Sequence, residues 1–327
     1  LRPAFILRAL KSYAQLIRNY YKAGDYDVLL VGYPGHFDVF LARWLAKLRR
    51  KPLAWDVLNS LYLITLERGI RQRSAFTVDM LRRIERRACR LPEMMFLDSQ
   101  QFVDWFAETH EVDPSRFRLV SIGADDRIFQ PLEAPVSLKD AMRVIYYGSY
   151  IPNHGVEYIV EAARLLEGTD NHSPVVFEMV GDGPERAKAE ALARNYALTN
   201  VEFIDWLERD QLTQHIARSD LVLGAFGTTQ QLLLTNNNKI YEGFAMRKAV
   251  VSARTPALPE VLRHGEHLYL CERGDPASLA EAIRKLQSDR ELRLRLAENG
   301  YRVFCEHFSV AQIGKHTAAH LNELLPK

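Results

Sequence analysis

Along this chain, short apolar runs alternate with longer stretches in which apolar side chains return every three or four positions, the patterns of buried strands and amphipathic helices respectively. Residues 4–22 (AFILRALKSYAQLIRNYYK) have helical spacing, and Ala23-Gly24-Asp25 ends that helix. Residues 26–32 predict a buried strand, Tyr33-Pro34-Gly35-His36 a turn, and 39–49 an amphipathic helix. Further strands are expected at 52–56, 94–99 and 118–125, with a basic helical segment running to Arg90 and a helix over 100–110 started by Ser99. Residues 131–140 (PLEAPVSLKD) are polar, hold two prolines and lack periodicity, as a linker does. The alternation then restarts, with strands at 144–148, 175–180 and 201–204 and helices at 155–166, 185–195 and 210–217. Two separate blocks of alternating strand and helix imply an α/β protein with two Rossmann-like, doubly wound domains facing each other across a cleft.

The stretch 221–260 carries the densest chemistry. A buried strand beginning at Leu221 breaks at Gly224 and Gly227, and a polar loop runs through Asn236, Asn237 and Asn238. A helix from Lys239 to Met246 and a strand over 249–253 follow. In a parallel sheet, ligands bind where loops leave the carboxyl ends of strands. Lys239 and Glu242 start the helix after such a loop, so they are candidates to meet an anionic, hydroxyl-bearing ligand. A lysine in a first turn opposes the helix dipole, and a residue placed against its local preference points mildly to function.

Length and composition frame this picture. A chain of 327 residues exceeds what one core usually supports. Apolar content of 47% with 26% charge is ordinary for a globular protein. The net charge of +2 is uneven: residues 1–133 hold 21 Lys and Arg against 16 Asp and Glu, and the remainder 22 against 25. The excess gathers at Arg43, Lys47, Arg49, Arg50 and Lys51 and again at Arg82, Arg83, Arg86, Arg87 and Arg90. Solvated helix faces account for it, with peripheral contact to an anionic membrane as the sharper reading. Neither cluster is interleaved with stacking aromatics, which argues against nucleic acid. Cys89, Cys271 and Cys305 are odd in number and widely spaced, which argues for a reducing, cytoplasmic setting and against structural zinc. The opening Leu1-Arg2-Pro3 has neither an initiator Met nor a signal-like segment.

Several motifs occur in a telling order: Val180-Gly181-Asp182-Gly183-Pro184, Asn200-Val201-Glu202-Phe203, Asp205-Trp206, Ser219-Asp220-Leu221, Asn238-Lys239-Ile240-Tyr241-Glu242 and Pro259-Glu260-Val261. Together they resemble the retaining glycosyltransferases of family 4 (group 1), which have the GT-B fold. Ser121-Ile122-Gly123-Ala124-Asp125 with Phe129-Gln130-Pro131 resembles the segment that closes that family's first domain. The resemblance spans about Tyr26 to Gln312 and divides the chain into an acceptor-side domain (1–133), a donor-binding domain (134–308) and a terminal helix (309–327) that crosses back to the first domain. The family's first domain opens with a strand and glycine-rich loop. Here the match begins in mid-domain, so the first domain reads as truncated at its amino terminus.

The resemblance implies transfer of a sugar from a nucleotide-sugar donor to an acceptor hydroxyl, on a glycan, a lipid-linked sugar or a small molecule, with configuration retained and no metal or other cofactor. Glu242 matches the second acid of the family's Glu-x7-Glu motif, which binds the donor ribose, and a carboxylate can accept from two adjacent hydroxyls. The first acid of that motif, which contacts sugar hydroxyls, falls on Leu234, and leucine accepts no hydrogen bond. Where relatives carry Gly-Arg and Lys-Gly for the diphosphate, this chain has Gly148-Ser149 and His154-Gly155. His154 has an ordinary pKa near ~6.5, so the fixed charge falls to Lys239. Gly181 and Gly183 are expected in a donor-base loop, Phe226-Gly227 to let the backbone approach the donor, and Asn238 to border it. In the first domain, Asp56 is the candidate base or acceptor-hydroxyl contact, with a turn cap as its plain alternative, and His36 a cleft-lining contact, with a loop hydrogen bond as its own. The departures at Leu234, Ser149 and His154 leave open a non-catalytic GT-B subunit, and the fold leaves open a nucleotide-sugar epimerase.

Overall fold

The computed structural model of the protein describes residues 3–132, 141–168 and 174–326, so the linker expected at 131–140 lies almost wholly outside the described residues. Two parallel sheets form. The first holds β1 (Leu29–Val31), β2 (Leu53–Asp56), β3 (Met94–Leu97) and β4 (Phe117–Leu119) in sequential order. The second holds β5 (Met142–Gly148), β6 (Val175–Gly181), β7 (Val201–Ile204), β8 (Leu221–Leu223), β9 (Ala249–Ala253) and β10 (Tyr269–Cys271) in the order β10-β9-β8-β5-β6-β7. The chain therefore winds outward from β5 to β7, returns to the other side of β5 with β8, and winds outward again. That reversal leaves a crevice at the carboxyl ends of β5 and β8, where open α/β sheets receive ligands.

Parallel strands covered on both faces are apolar without alternation. The side chains of β3 (MMFL) and β9 (AVVSA) are accordingly all buried. Helix Val156–Leu166 covers one face of the second sheet through Ile159, Val160 and Ala163, while helix Asn238–Ala245 and the segment Phe304–Phe308 cover the other through Tyr241, Phe244, Phe304 and Phe308.

The strand expected over 118–125 is shorter, because the chain leaves the first sheet after Leu119. Ala124 instead pairs with Ser309, and a Cβ on Gly123 would lie 2.1 Å from the Phe308 carbonyl oxygen. Ser309 caps helix Val310–Asn322. That helix returns to the first domain, where Leu321 and Leu324 pack against Ala54, Met94 and Phe96. Arg118 donates two hydrogen bonds to Glu323, at 2.8 and 2.7 Å.

Candidate active site

A cavity of about 740 Å³ separates the two halves. The first domain lines it with Leu58 and Asn59 after β2 and Asp98 after β3; the second lines it with Gly148 at the end of β5, Ser149 and His154 after it, Trp206 and Arg209 after β7, and Asn236 to Lys239 and Glu242 after β8. Helix Asn238–Ala245 buries Ile240, Tyr241, Phe244 and Ala245 in the core, which turns Lys239 and Glu242, one turn apart, toward the cleft.

Lys239 is 5% exposed. Its Nζ lies 3.2 Å from His154 Nε2 and 5.5 Å from the centre of the Tyr146 ring, and His154 Nδ1 lies 2.8 Å from the Tyr146 hydroxyl. An ammonium can only donate, so His154 Nε2 accepts and Nδ1–H donates to the Tyr146 oxygen. Burial, reinforced by the Lys239 charge, holds His154 well below the usual histidine range. Burial also lowers Lys239 to about 8, against the opposing pull of Glu242. At neutral pH the pair is thus one cation resting on a neutral imidazole. Burial raises the Glu242 carboxyl, with Tyr147 and Lys239 pulling the other way.

Several expected donor residues support the site from behind. A Cβ on Gly181 would meet the Gly148 oxygen at 2.1 Å, and one on Gly183 the Ser149 oxygen at 1.7 Å. These glycines, both with positive φ, let the loop after β6 pack directly under the loop after β5. Phe226 is buried in the core, and its N–H donates to the His154 carbonyl at 3.0 Å, while Gly227 N–H donates to Asn153 at 3.3 Å. None of the four lines the cavity; they hold the residues that do.

The first-domain candidates His36 and Asp56 do not line the cavity. His36 is 2% exposed and lies behind the cleft, its Nε2 3.0 Å from the Asn59 carbonyl oxygen and 3.0 Å from Glu85 Oε1. Glu85 also accepts from Ser60 Oγ at 2.7 Å and from the N–H groups of Leu61 and Tyr62, and sits 3.3 Å from His110. This buried carboxylate fixes the start of helix Leu61–Glu67, and His36 steadies the Asn59 backbone. Asp56 is absent from the cavity lining because the chain turns after it: Val57 N–H still bonds the Phe96 carbonyl, Leu58 takes a φ of 54°, and Leu58 and Asn59 reach the cleft instead.

Sequence reasoning missed Asp98. It follows a buried strand just as Asp56 does, and that was the available signal. It also missed a helix, Gln230–Leu234, inside the supposed polar loop. Leu234 joins the first domain's apolar cluster beside Phe102 and Val103, and its carbonyl accepts from Ser99 Oγ. Gln231 N–H donates to Glu67 at 2.6 Å, Gln231 Nε2 to Asn59 Oδ1 at 3.1 Å, and Asn236 N–H to Asp98 Oδ2 at 2.8 Å.

Residues 141–289 match the family model described as glycosyl transferases group 1. Among curated proteins, the lipopolysaccharide core biosynthesis glycosyltransferase LpsE of Rhizobium meliloti is 29% identical over 198 residues, covering 60% of this chain and 52% of that protein. The MMP alpha-(1->4)-mannosyltransferase of Mycolicibacterium hassiacum is 28% identical over 255 residues, covering 74% and 56%. The chain spans about half the length of the curated relatives it matches. Among solved structures, Anabaena Alr3699/HepE in complex with UDP-glucose superposes with a TM-score of 0.72 at 18% identity, covering 94% of this chain and 81% of the other. Sucrose-phosphate synthase from Thermosynechococcus elongatus does so with 0.72 at 16% identity, covering 99% and 80%. The fold is that of the GT-B glycosyltransferases. The second sheet, β5 to β10, falls within the residues that match the group 1 glycosyl transferase model.

Proposed function

We propose that the protein is a retaining family 4 glycosyltransferase of hexosyltransferase type, moving a sugar from a nucleotide-sugar donor to an acceptor hydroxyl in glycan, glycolipid or cell-surface polysaccharide synthesis. The observation that carries this reading is the pairing of a buried Lys239 with Glu242 at the crevice beside β5 and β8. The cation suits a diphosphate, and the carboxylate suits the vicinal hydroxyls of a ribose. His154 and Ser149 add neutral hydrogen-bonding groups at the same edge, and Asn59 and Asp98 face them from the acceptor side. The likeness to HepE, solved in complex with UDP-glucose, and to the lipopolysaccharide core biosynthesis glycosyltransferase LpsE supports the donor class and the type of pathway. No resident metal is assigned to the reaction, so transfer is expected to survive a chelator.

The work is assigned to the cytoplasm, at the inner membrane face. Among the described residues no helix is long and apolar enough to cross a membrane. Phe40, Trp44 and Leu48 are exposed along helix Asp38–Leu48, near Arg43 and Lys47, a face suited to an anionic bilayer surface. Calorimetric titration with UDP, GDP and ADP sugars, followed by single-turnover transfer, tests the assignment. Absence of any nucleotide binding overturns it, and binding without transfer gives the non-catalytic reading, which the withdrawal of Leu234 from the cleft favours.

A further inference from the structure

The cleft contains acceptor atoms with nothing to accept. Asp98 Oδ1 and Asn236 Oδ1 are buried and have no hydrogen-bond partner, and both residues line the cavity. Leaving such an atom unpaired costs about 1–3 kcal/mol, and buried polar groups are paired with few exceptions. Asp98 is 7% exposed. Its Oδ2 is occupied, accepting from Asn236 N–H at 2.8 Å and from Asn236 Nδ2 at 3.3 Å. Asn236 Nδ2 also donates to the Ala257 carbonyl at 2.9 Å, which fixes the amide with its oxygen free. One carboxylate oxygen therefore anchors the group, and the other, like the amide oxygen of Asn236, has no donor. A ligand with several O–H groups, such as a sugar, can answer both acceptors.

The position of these atoms narrows the ligand. Asp98 ends β3 of the first domain, while Asn236 sits three residues before Lys239 in the second. Leu234 offers no acceptor there, since its side chain is committed to the first-domain cluster. We propose that Asp98 is a specificity-determining residue that reads the sugar of the donor, accepting from hydroxyls of the nucleotide-linked hexose through Oδ1 while Asn236 accepts from a neighbouring hydroxyl. This rests on the donor reading above and adds to it that sugar recognition is supplied from the acceptor-side domain. Nucleotide binding needs the second domain alone; sugar recognition needs both halves in contact.

The test compares nucleotide with nucleotide sugar. The full chain, the variant Asp98→Asn and the variant Asn236→Ala are titrated calorimetrically with UDP, GDP and ADP and with the corresponding nucleotide hexoses. In Asp98→Asn the new amide can keep its oxygen on the Asn236 N–H and so present NH₂ where an acceptor stood. The expected result is a loss of at least tenfold in affinity for the nucleotide hexose, with the bare diphosphate bound within twofold of the unaltered chain. Asn236→Ala is expected to lose severalfold with the same selectivity, and it carries the test should Asp98→Asn fail to fold. Unchanged hexose affinity overturns the inference, as does an equal loss for diphosphate and nucleotide hexose, which would make Asp98 a brace for the loop. If the unaltered chain binds none of the nucleotides, the donor reading falls and takes this inference with it.

Discussion

Ser99 joins the two domains through a single side chain: its oxygen accepts the Phe102 N–H that starts helix Gln100–His110, and its hydroxyl donates to the carbonyl of Leu234, 135 positions further along the chain. Glu67 and Asp98 accept backbone N–H groups of Gln231 and Asn236 on either side of that bond. The segment between them is held by polar contacts at both ends and by an apolar plug in the middle. A leucine at position 234 is therefore a docking residue.

Truncating that plug is expected to loosen the junction. Leu234→Ala removes a side chain that is 8% exposed and should lower stability by about 2–3 kcal/mol, the lower part of the usual range for a buried leucine. Leu234→Glu, which restores the acid expected from the family pattern, places a carboxylate beside Phe102 and Val103 and is expected to cost at least as much without raising transfer. Urea unfolding and a turnover assay decide this. A Leu234→Glu variant as stable as the parent and faster in transfer would show that the side chain faces the cleft.

Glu242→Ala should abolish most nucleotide binding while leaving the fold intact. Hydrogen bonds to a charged group contribute roughly 1.5–3 kcal/mol, which corresponds to about a tenfold to hundredfold loss of affinity. If the partner is the ribose, a 2′-deoxy nucleotide should bind the unaltered chain more weakly and lose less on substitution. Equal sensitivity of the ribo- and deoxyribonucleotide assigns Glu242 to another part of the donor.

The doubly wound second domain was legible because most of its strands are apolar runs and Gly148, Gly181 and Gly224 mark the exits of β5, β6 and β8. Lys239 and Glu242 were legible because helix spacing placed them one turn apart after a strand. Leu234 was not, because a five-residue helix docking onto another domain has no period of its own; only its partners 135 positions away give it meaning. His36 and Asp56 lie off the cavity lining for a related reason. Both lie near strand ends, but which residue after a strand reaches the cleft depends on the turn, here the positive φ of Leu58, and local sequence did not announce it.

Glu85 gives an acid-stability prediction. Burial alone would raise its carboxyl, yet hydrogen bonds and charge from His110 and His36 bring it down to about 2. A depressed carboxylate contributes stability that is present above the unfolded value of 4.5 and is lost as pH falls from there through about 2. The contribution is on the order of 3 kcal/mol. Glu85→Gln should flatten the dependence of unfolding free energy on pH in that window and destabilise the chain at neutral pH by removing a buried charged acceptor. Parallel acid titration curves for the two proteins would remove Glu85 from this role.

Lys239 makes donor affinity depend on pH in the opposite direction. Burial sets its ammonium at about 8, so the cation proposed to meet the diphosphate is present below that value and lost above it. A bound diphosphate favours the charged form and raises the lysine pKa in the complex. Between the free and bound values, affinity for a nucleotide sugar should therefore fall by about tenfold per pH unit. Lys239→Arg keeps a charge throughout this range and should remove the slope, even if the larger guanidinium binds less well against His154. Lys239→Met should bind weakly at every pH and also show no slope. Calorimetry of a nucleotide sugar from pH 6.5 to pH 9.5, a window chosen around the ~8 set by burial, checks all three. A slope that persists in Lys239→Met would assign the titration to another group.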